Sequence, residues 1–251
     1  MVIIRAAFDA SYDQPKKVEM PATSVAGYVG YLEAWEAIEP KWNAQLEKAG
    51  IERFHLNDFR KKYRDTDFWM DDVRPFAEII QQSGLTSVTA NLWDADWHAA
   101  PHPPEYLEIC PRPVHGCLDM LFNPLADELR LEYQPAPATI VFDNDFDSRH
   151  RIVKVHDAWC ERTGNPRMDV FLKGDQPWDA VPLQCADLLA GIMRLDTFYR
   201  HWLHTGSAPD YSDNSMLFGL AGMVRGKRGR GVMWSAAIGN KVEEAQRKAN
   251  Q

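Results

Sequence analysis

Ile3-Ile4-Arg5-Ala6-Ala7-Phe8-Asp9 opens the chain as an apolar run that stops at an acid, and Ala138-Thr139-Ile140-Val141-Phe142-Asp143 repeats the design much later. A near-continuous apolar run of this length suits a central strand covered on both faces. Ligands of α/β sheets collect beyond the carboxyl ends of strands. If the two strands are parallel neighbours, Asp9 and Asp143 lie side by side at one edge of the sheet. Two such carboxylates repel, so either one keeps a proton or a cation sits between them. A hard divalent ion, Mg²⁺ or Mn²⁺, suits these oxygen donors. Each aspartate alone also suits a turn after its strand. Asn144, Asp145 and Asp147 follow Asp143, which leaves Asp145 open as the ligand in its place.

Reading outward, Ser24 to Tyr31 is a second, glycine-containing strand, and with the first it predicts an antiparallel hairpin joined by a long polar connection. Leu32, Trp35, Ile38, Trp42 and Leu46 recur at helical spacing and predict a helix over 32–49. Pro40 predicts a kink in it or a split into two shorter helices, and Gly50 a stop. Arg53 to Asp58 reads as a short extended or turn segment, 67–82 as a helix, and 85–93 as a strand. The proline-rich stretch from Ala99 to Pro113 reads as irregular at first, and 114–132 as a helix. After the Asp143 strand come a helix over 148–162, a strand over 168–172 and a long helix over 181–204. Residues 207–230 read as loop with a short helix near 216–224, and 241–251 as a polar helix. A hairpin followed by alternating strands and helices predicts a mixed α/β sheet with helices on both faces, and an RNase H-like sheet fits this order best. At 251 residues the chain is expected to form a single domain with insertions, with 205–251 as a C-terminal extension packed on it.

The third acid lies in the long helix, within Leu183-Gln184-Cys185-Ala186-Asp187-Leu188-Leu189-Ala190-Gly191. Gln184, Asp187 and Gly191 share one helix face. An acid in so apolar a stretch needs a partner or a metal; a salt bridge to Arg194 or to a distant base is the plain alternative. His55 and Asp58 are candidates for general acid–base work or outer metal binding. Lys173 and Asp175 follow the 168–172 strand and are expected at the same sheet edge.

These elements resemble the DUF3800 family, an uncharacterised group of prokaryotic and phage-associated proteins with an RNase H-like fold. The family's Asp-Glu-Ser-Gly is matched by Asp9-Ala10-Ser11-Tyr12, its glycine-rich strand and tryptophan-containing helix by Gly27 to Trp42, and its short Phe-His element by Phe54-His55-Leu56-Asn57-Asp58. Its Leu-Gln-x-Ala-Asp-Leu-x-Ala-Gly is matched without a gap by Leu183 to Gly191. The resemblance implies a nuclease-type site with Asp9, Asp143 and Asp187 as metal ligands and catalytic triad, and His55 beside them. In such a site two metal ions activate water and stabilise the leaving oxygen of a phosphodiester. Ala10 and Tyr12 depart from the pattern, and Ala10 stands where the family has Glu.

Composition narrows the partners. Lys plus Arg is 28 and Asp plus Glu is 36, a net charge of −8, so nucleic acid would have to meet a local basic surface. Residues 59–64 offer one. Arg225-Gly226-Lys227-Arg228-Gly229-Arg230 offers another, read as a flexible loop whose Arg228 and Arg230 hold a phosphate backbone. Gln184 and Lys173 complete the expected substrate contacts. Four cysteines at 110, 117, 160 and 185 are too sparse for a disulfide scaffold and read as buried thiols. No run of about 20 apolar residues is present, so no membrane span is expected, and a cytoplasmic address follows. The function expected is that of a metal-dependent nuclease or phosphoryl-transfer enzyme. The alternative is a non-catalytic RNase H-like module that binds protein or nucleic acid.

Overall fold

A computed structural model describes residues 3–12, 22–62, 69–133, 138–143, 149–175, 180–205, 215–225 and 229–234. Strand β1 (Ile4–Ser11) pairs antiparallel with β2 (Ala22–Tyr31), and β2 pairs antiparallel with β3 (Thr86–Trp93). On its other side β1 runs parallel to β4 (Ala138–Phe142), and β4 parallel to β5 (Asp169–Leu172). A sixth strand, β6 (Gly229–Trp234), runs parallel to β3, so the order across the sheet is β5-β4-β1-β2-β3-β6. The expected hairpin, the mixed sheet and the parallel neighbours carrying Asp9 and Asp143 are all present.

Side chains alternate across the sheet with period two, and the two faces meet different helices. Ala6, Phe8 and Ala10 of β1, with Ile140 and Phe142 of β4, pack against Leu118, Leu121 and Phe122 of α6 (Pro113–Glu132) and Ile152, Val155 and Trp159 of α7 (Arg149–Thr163). Phe8 and Phe142 stack at 5.4 Å between ring centroids. The opposite face carries Ala7 and Val141, which receive Leu183 from α8 (Ala180–Thr205). Farther along that face lies a core of Ala26 and Tyr28 from β2, Trp35, Ile38 and Trp42 from α1 (Leu32–Ala49), and Val73 and Phe76 from α3 (Trp69–Gln81). Burying a side chain the size of Phe76 contributes about 1.5–3 kcal/mol.

Several local expectations are corrected. Helix α1 is continuous through Pro40, whose ring lies on its exposed side. A helix, α2 (Leu56–Lys62), stands where a turn segment was expected. The stretch read as irregular, 99–113, holds α5 (Pro104–Ile109), and α4 (Asp94–Ala99) leads into it. The short helix expected near 216–224 is present as α9 (Ser215–Arg225), but from Gly229 the expected loop gives way to the strand β6. All four cysteines are free and buried. Among the described residues no helix is long and apolar enough to cross a membrane. Residues 241–251, expected to be helical, lie outside the described residues.

Candidate functional site

The carboxyl edge of β1 and β4 is built by register. Phe8 pairs with Phe142, and the ladder continues through Asp143 N–H donating to the Phe8 carbonyl at 3.0 Å, which sets Asp9 beside Asp143. Because Phe8 and Phe142 face α6 and α7, strand alternation turns Asp9 and Asp143 to the α8 side. Neighbouring strands lie about 4.8 Å apart, so two carboxylates meet on one face. Asp9 is only 5% exposed, and its Oδ1 accepts the Ala10 N–H at 2.7 Å. Lys173, at the end of β5, is held by its own N–H donating to the Phe142 carbonyl, and its Nζ reaches Asp143 Oδ2 at 2.8 Å. Lys173 therefore stands at the edge where it was expected, and it neutralises one of the two acids. Asp175 instead turns back on its own strand, where its Oδ2 accepts the Leu172 N–H at 3.0 Å.

Helix α8 brings the third acid close to this edge but gives it other partners. Leu183 covers Ala7 and Val141, each two residues before an edge aspartate. Asp187 is one helical turn farther on, about 6 Å along the axis. Its Oδ2 accepts the Leu56 N–H at 2.7 Å and lies 3.3 Å from His55 Nδ1. Gln184, on the same face, accepts the Phe54 N–H at 2.7 Å and Trp42 Nε1–H at 3.1 Å. Gly191 completes the face: a Cβ there would land on Leu56 Cδ2, so only glycine lets α2 sit this close to α8. The shared face is thus a dock for residues 54–56. Asp187 does not pair with Arg194, whose Nε donates to the Ala22 carbonyl at 2.6 Å.

His55 carries the clearest electrostatic signature of these groups. Its pKa is raised above the usual imidazole value, chiefly by the hydrogen bond to Asp187, against the opposing effect of burial; the Asp187 and Asp58 charges raise it further and Arg53 lowers it. Its side chain is 41% exposed. With Nδ1 turned to Asp187, Nε2 is the atom that faces outward, toward a cleft of about 540 Å³ which also takes in Arg53, Asp58, Phe59 and Lys62.

Chemically, Asp9 and Asp143 are hard oxygen donors on neighbouring strands, and donors of this kind suit a divalent cation. Asp187 Oδ1 has no hydrogen bond among the described residues, so it remains available as a donor. Among the described residues, however, no group of three or more His, Cys, Asp or Glu side chains is arranged to hold a metal ion. The expected triad is present as an edge pair and a nearby helix acid with separate duties.

The basic C-terminal stretch is corrected in part. Arg230 lies on β6, paired with Val88, and its guanidinium is spent on Glu128 of α6, with Glu132 at 4.0 Å. Glu128 is buried, so this arginine closes an interior charge and is not a loop cation awaiting phosphate. Arg228, and Asp145 as the alternative ligand, lie outside the described residues. Sequence reasoning missed the docking role of Gln184 and Asp187. The one signal for it was the helix face that they share; their partners are the backbone N–H groups of Phe54 and Leu56. No protein-family model, no curated protein and no solved structure matches the chain.

Proposed function

We propose that the carboxyl edge of β1 and β4, under α8, is the site of a divalent-metal-dependent nuclease or phosphoryl-transfer enzyme acting on nucleic acid. The observation that carries the reading is the pairing of Asp9 with Asp143 on adjacent parallel strands, both turned to the same helix. Resemblance to the DUF3800 family and the order β3-β2-β1-β4-β5 within the sheet support it. Asp9 and Asp143 would hold Mg²⁺ or Mn²⁺, with Asp187 Oδ1 as a further donor. A bound ion of this kind supplies Lewis acidity at a phosphoryl oxygen and lowers the pKa of water.

The chain's own residues do the rest. Lys173, adjoining Asp143, presents a cation to a phosphate once a metal takes its place on the carboxylate. His55, oriented by Asp187 of α8, is a proton-carrying group that suits protonation of a leaving oxygen. Gln184 acts indirectly, by fixing Phe54 and so the position of His55. The test is cleavage of single- and double-stranded DNA and RNA with Mg²⁺ or Mn²⁺, compared with Asp9→Asn. Metal-dependent cleavage that the substitution abolishes supports the reading; equal residual cleavage in the variant refutes it.

One observation favours a second reading, a non-catalytic module binding protein or nucleic acid. The Lys173 ammonium already supplies Asp143 with the positive charge that a metal would bring, and Ala10 stands in place of the family's Glu. This reading expects a folded protein indifferent to divalent ions.

A further inference from the structure

The cleft in front of His55 has a charge arrangement of its own. It lies between the end of α1 (Gln45, Lys48, Ala49), Ile51, Arg53 and His55, the α2 residues Asp58, Phe59 and Lys62, and the start of α3 with Asp71, Asp72 and Pro75. The three acids all have basic partners: Asp58 has Lys61 at 3.7 Å, Asp71 has Arg74 at 3.8 Å, and Asp72 has Lys62 at 3.1 Å. Lys48 and Arg53 have no carboxylate within ion-pair distance among the described residues. Among the described residues the cleft therefore carries two cations with no ion-pair partner, beside an imidazole whose Nδ1 is turned to Asp187. Ala49, Ile51, Phe59 and Pro75 give the same cleft an apolar wall. At about 540 Å³ it is of ordinary small-ligand size.

We propose that this cleft binds a phosphate monoester carried on a planar, apolar body of nucleotide size, with Arg53 and Lys48 on the phosphate and His55 at its edge. Two positive charges suit a dianion, and a guanidinium fork and an ammonium suit its terminal oxygens. Phe59 and Pro75 suit the body to which the phosphate is attached. Asp187 is here a positioning residue, acting through His55. The site shares His55 with the reading above, but its cations, Lys48 and Arg53, stand apart from Asp9 and Asp143, whether or not those acids hold a cation.

The experiment is calorimetric titration of adenosine 5′-monophosphate and of adenosine into the full chain, with EDTA present so that no metal mediates the contact. The expected result is binding of the monophosphate, with adenosine at least tenfold weaker. Lys48→Met with Arg53→Met together, and separately His55→Gln, weaken the monophosphate, the double variant at least tenfold. Lys154→Met, on α7, leaves it unchanged. Equal affinity for adenosine, no binding by the folded wild type, full affinity in the double variant, or an equal loss in Lys154→Met would each overturn the proposal.

Discussion

Replacing Asp187 separates its docking role from a purely ligand role. In Asp187→Ala the Leu56 N–H loses a charged acceptor at 2.7 Å, and His55 loses its partner at 3.3 Å. A hydrogen bond to a charged group contributes about 1.5–3 kcal/mol. The Leu56 donor is part-buried, so the lower half of that range applies to it. The His55 contact is to a ring two-fifths exposed and adds at most about 0.5 kcal/mol after solvent screening. The sum is about 2 kcal/mol, or roughly 4–8 °C in the thermal midpoint of a chain this size. Asp187→Asn keeps a neutral acceptor for Leu56 and is expected to cost about half as much. Urea unfolding followed by circular dichroism reads both. A carboxylate held near Asp9 and Asp143 only to await a metal would repel them, and its neutralisation would then stabilise the metal-free protein. A metal-free Asp187→Ala as stable as wild type, or more so, refutes the docking account.

Other consequences follow from the same geometry. Gly191→Ala should destabilise by about 1–3 kcal/mol through overpacking on Leu56, yet stabilise the protein in a Leu56→Ala background, where the gain in helix propensity is all that remains; a four-variant urea series measures both signs. The stability that His55 contributes is expected to be fully present below its unfolded pKa, about 6.5, and to disappear as pH rises through its raised folded value; the gap between wild type and His55→Gln across pH 5 to 9 checks the direction. Arg230→Met should lower the unfolding midpoint by stranding buried Glu128, and adding Glu128→Gln should restore much of it. Loss of nucleic-acid affinity at unchanged stability would instead make Arg230 a phosphate contact.

The parts of the fold legible in the sequence are those whose burial is two-sided. Ile3 to Asp9 and Ala138 to Asp143 could be read because central strands need continuous apolar runs, and the shared Phe-Asp ending carried the edge pair with them. Strand β6 could not: Gly229-Arg230-Gly231 has the composition of a loop, and only pairing with β3 and the interior charge of Glu128 make it a strand. Helix α2 was hidden for a related reason. Its seven residues include three consecutive basic ones, and its stability comes from Leu56 and Phe59 packing on other elements. At the site, the residue types were legible and the partnerships were not. That Asp187 serves Leu56 and His55, and that Lys173 serves Asp143, depends on contacts between residues far apart in the chain.

In the proposed reading, Asp9 and Asp143 together form a cation site which Lys173 partly occupies. Titration of Mn²⁺ into wild type, Asp143→Asn and Lys173→Met tests it in one series. The expected result is binding by wild type, loss in Asp143→Asn, and an affinity in Lys173→Met higher by about 1 kcal/mol, roughly fivefold, because a competing charge has gone. Folded wild-type protein that binds no Mn²⁺, with Lys173→Met equally silent, would contradict the claim and leave the edge pair as part of a non-catalytic module.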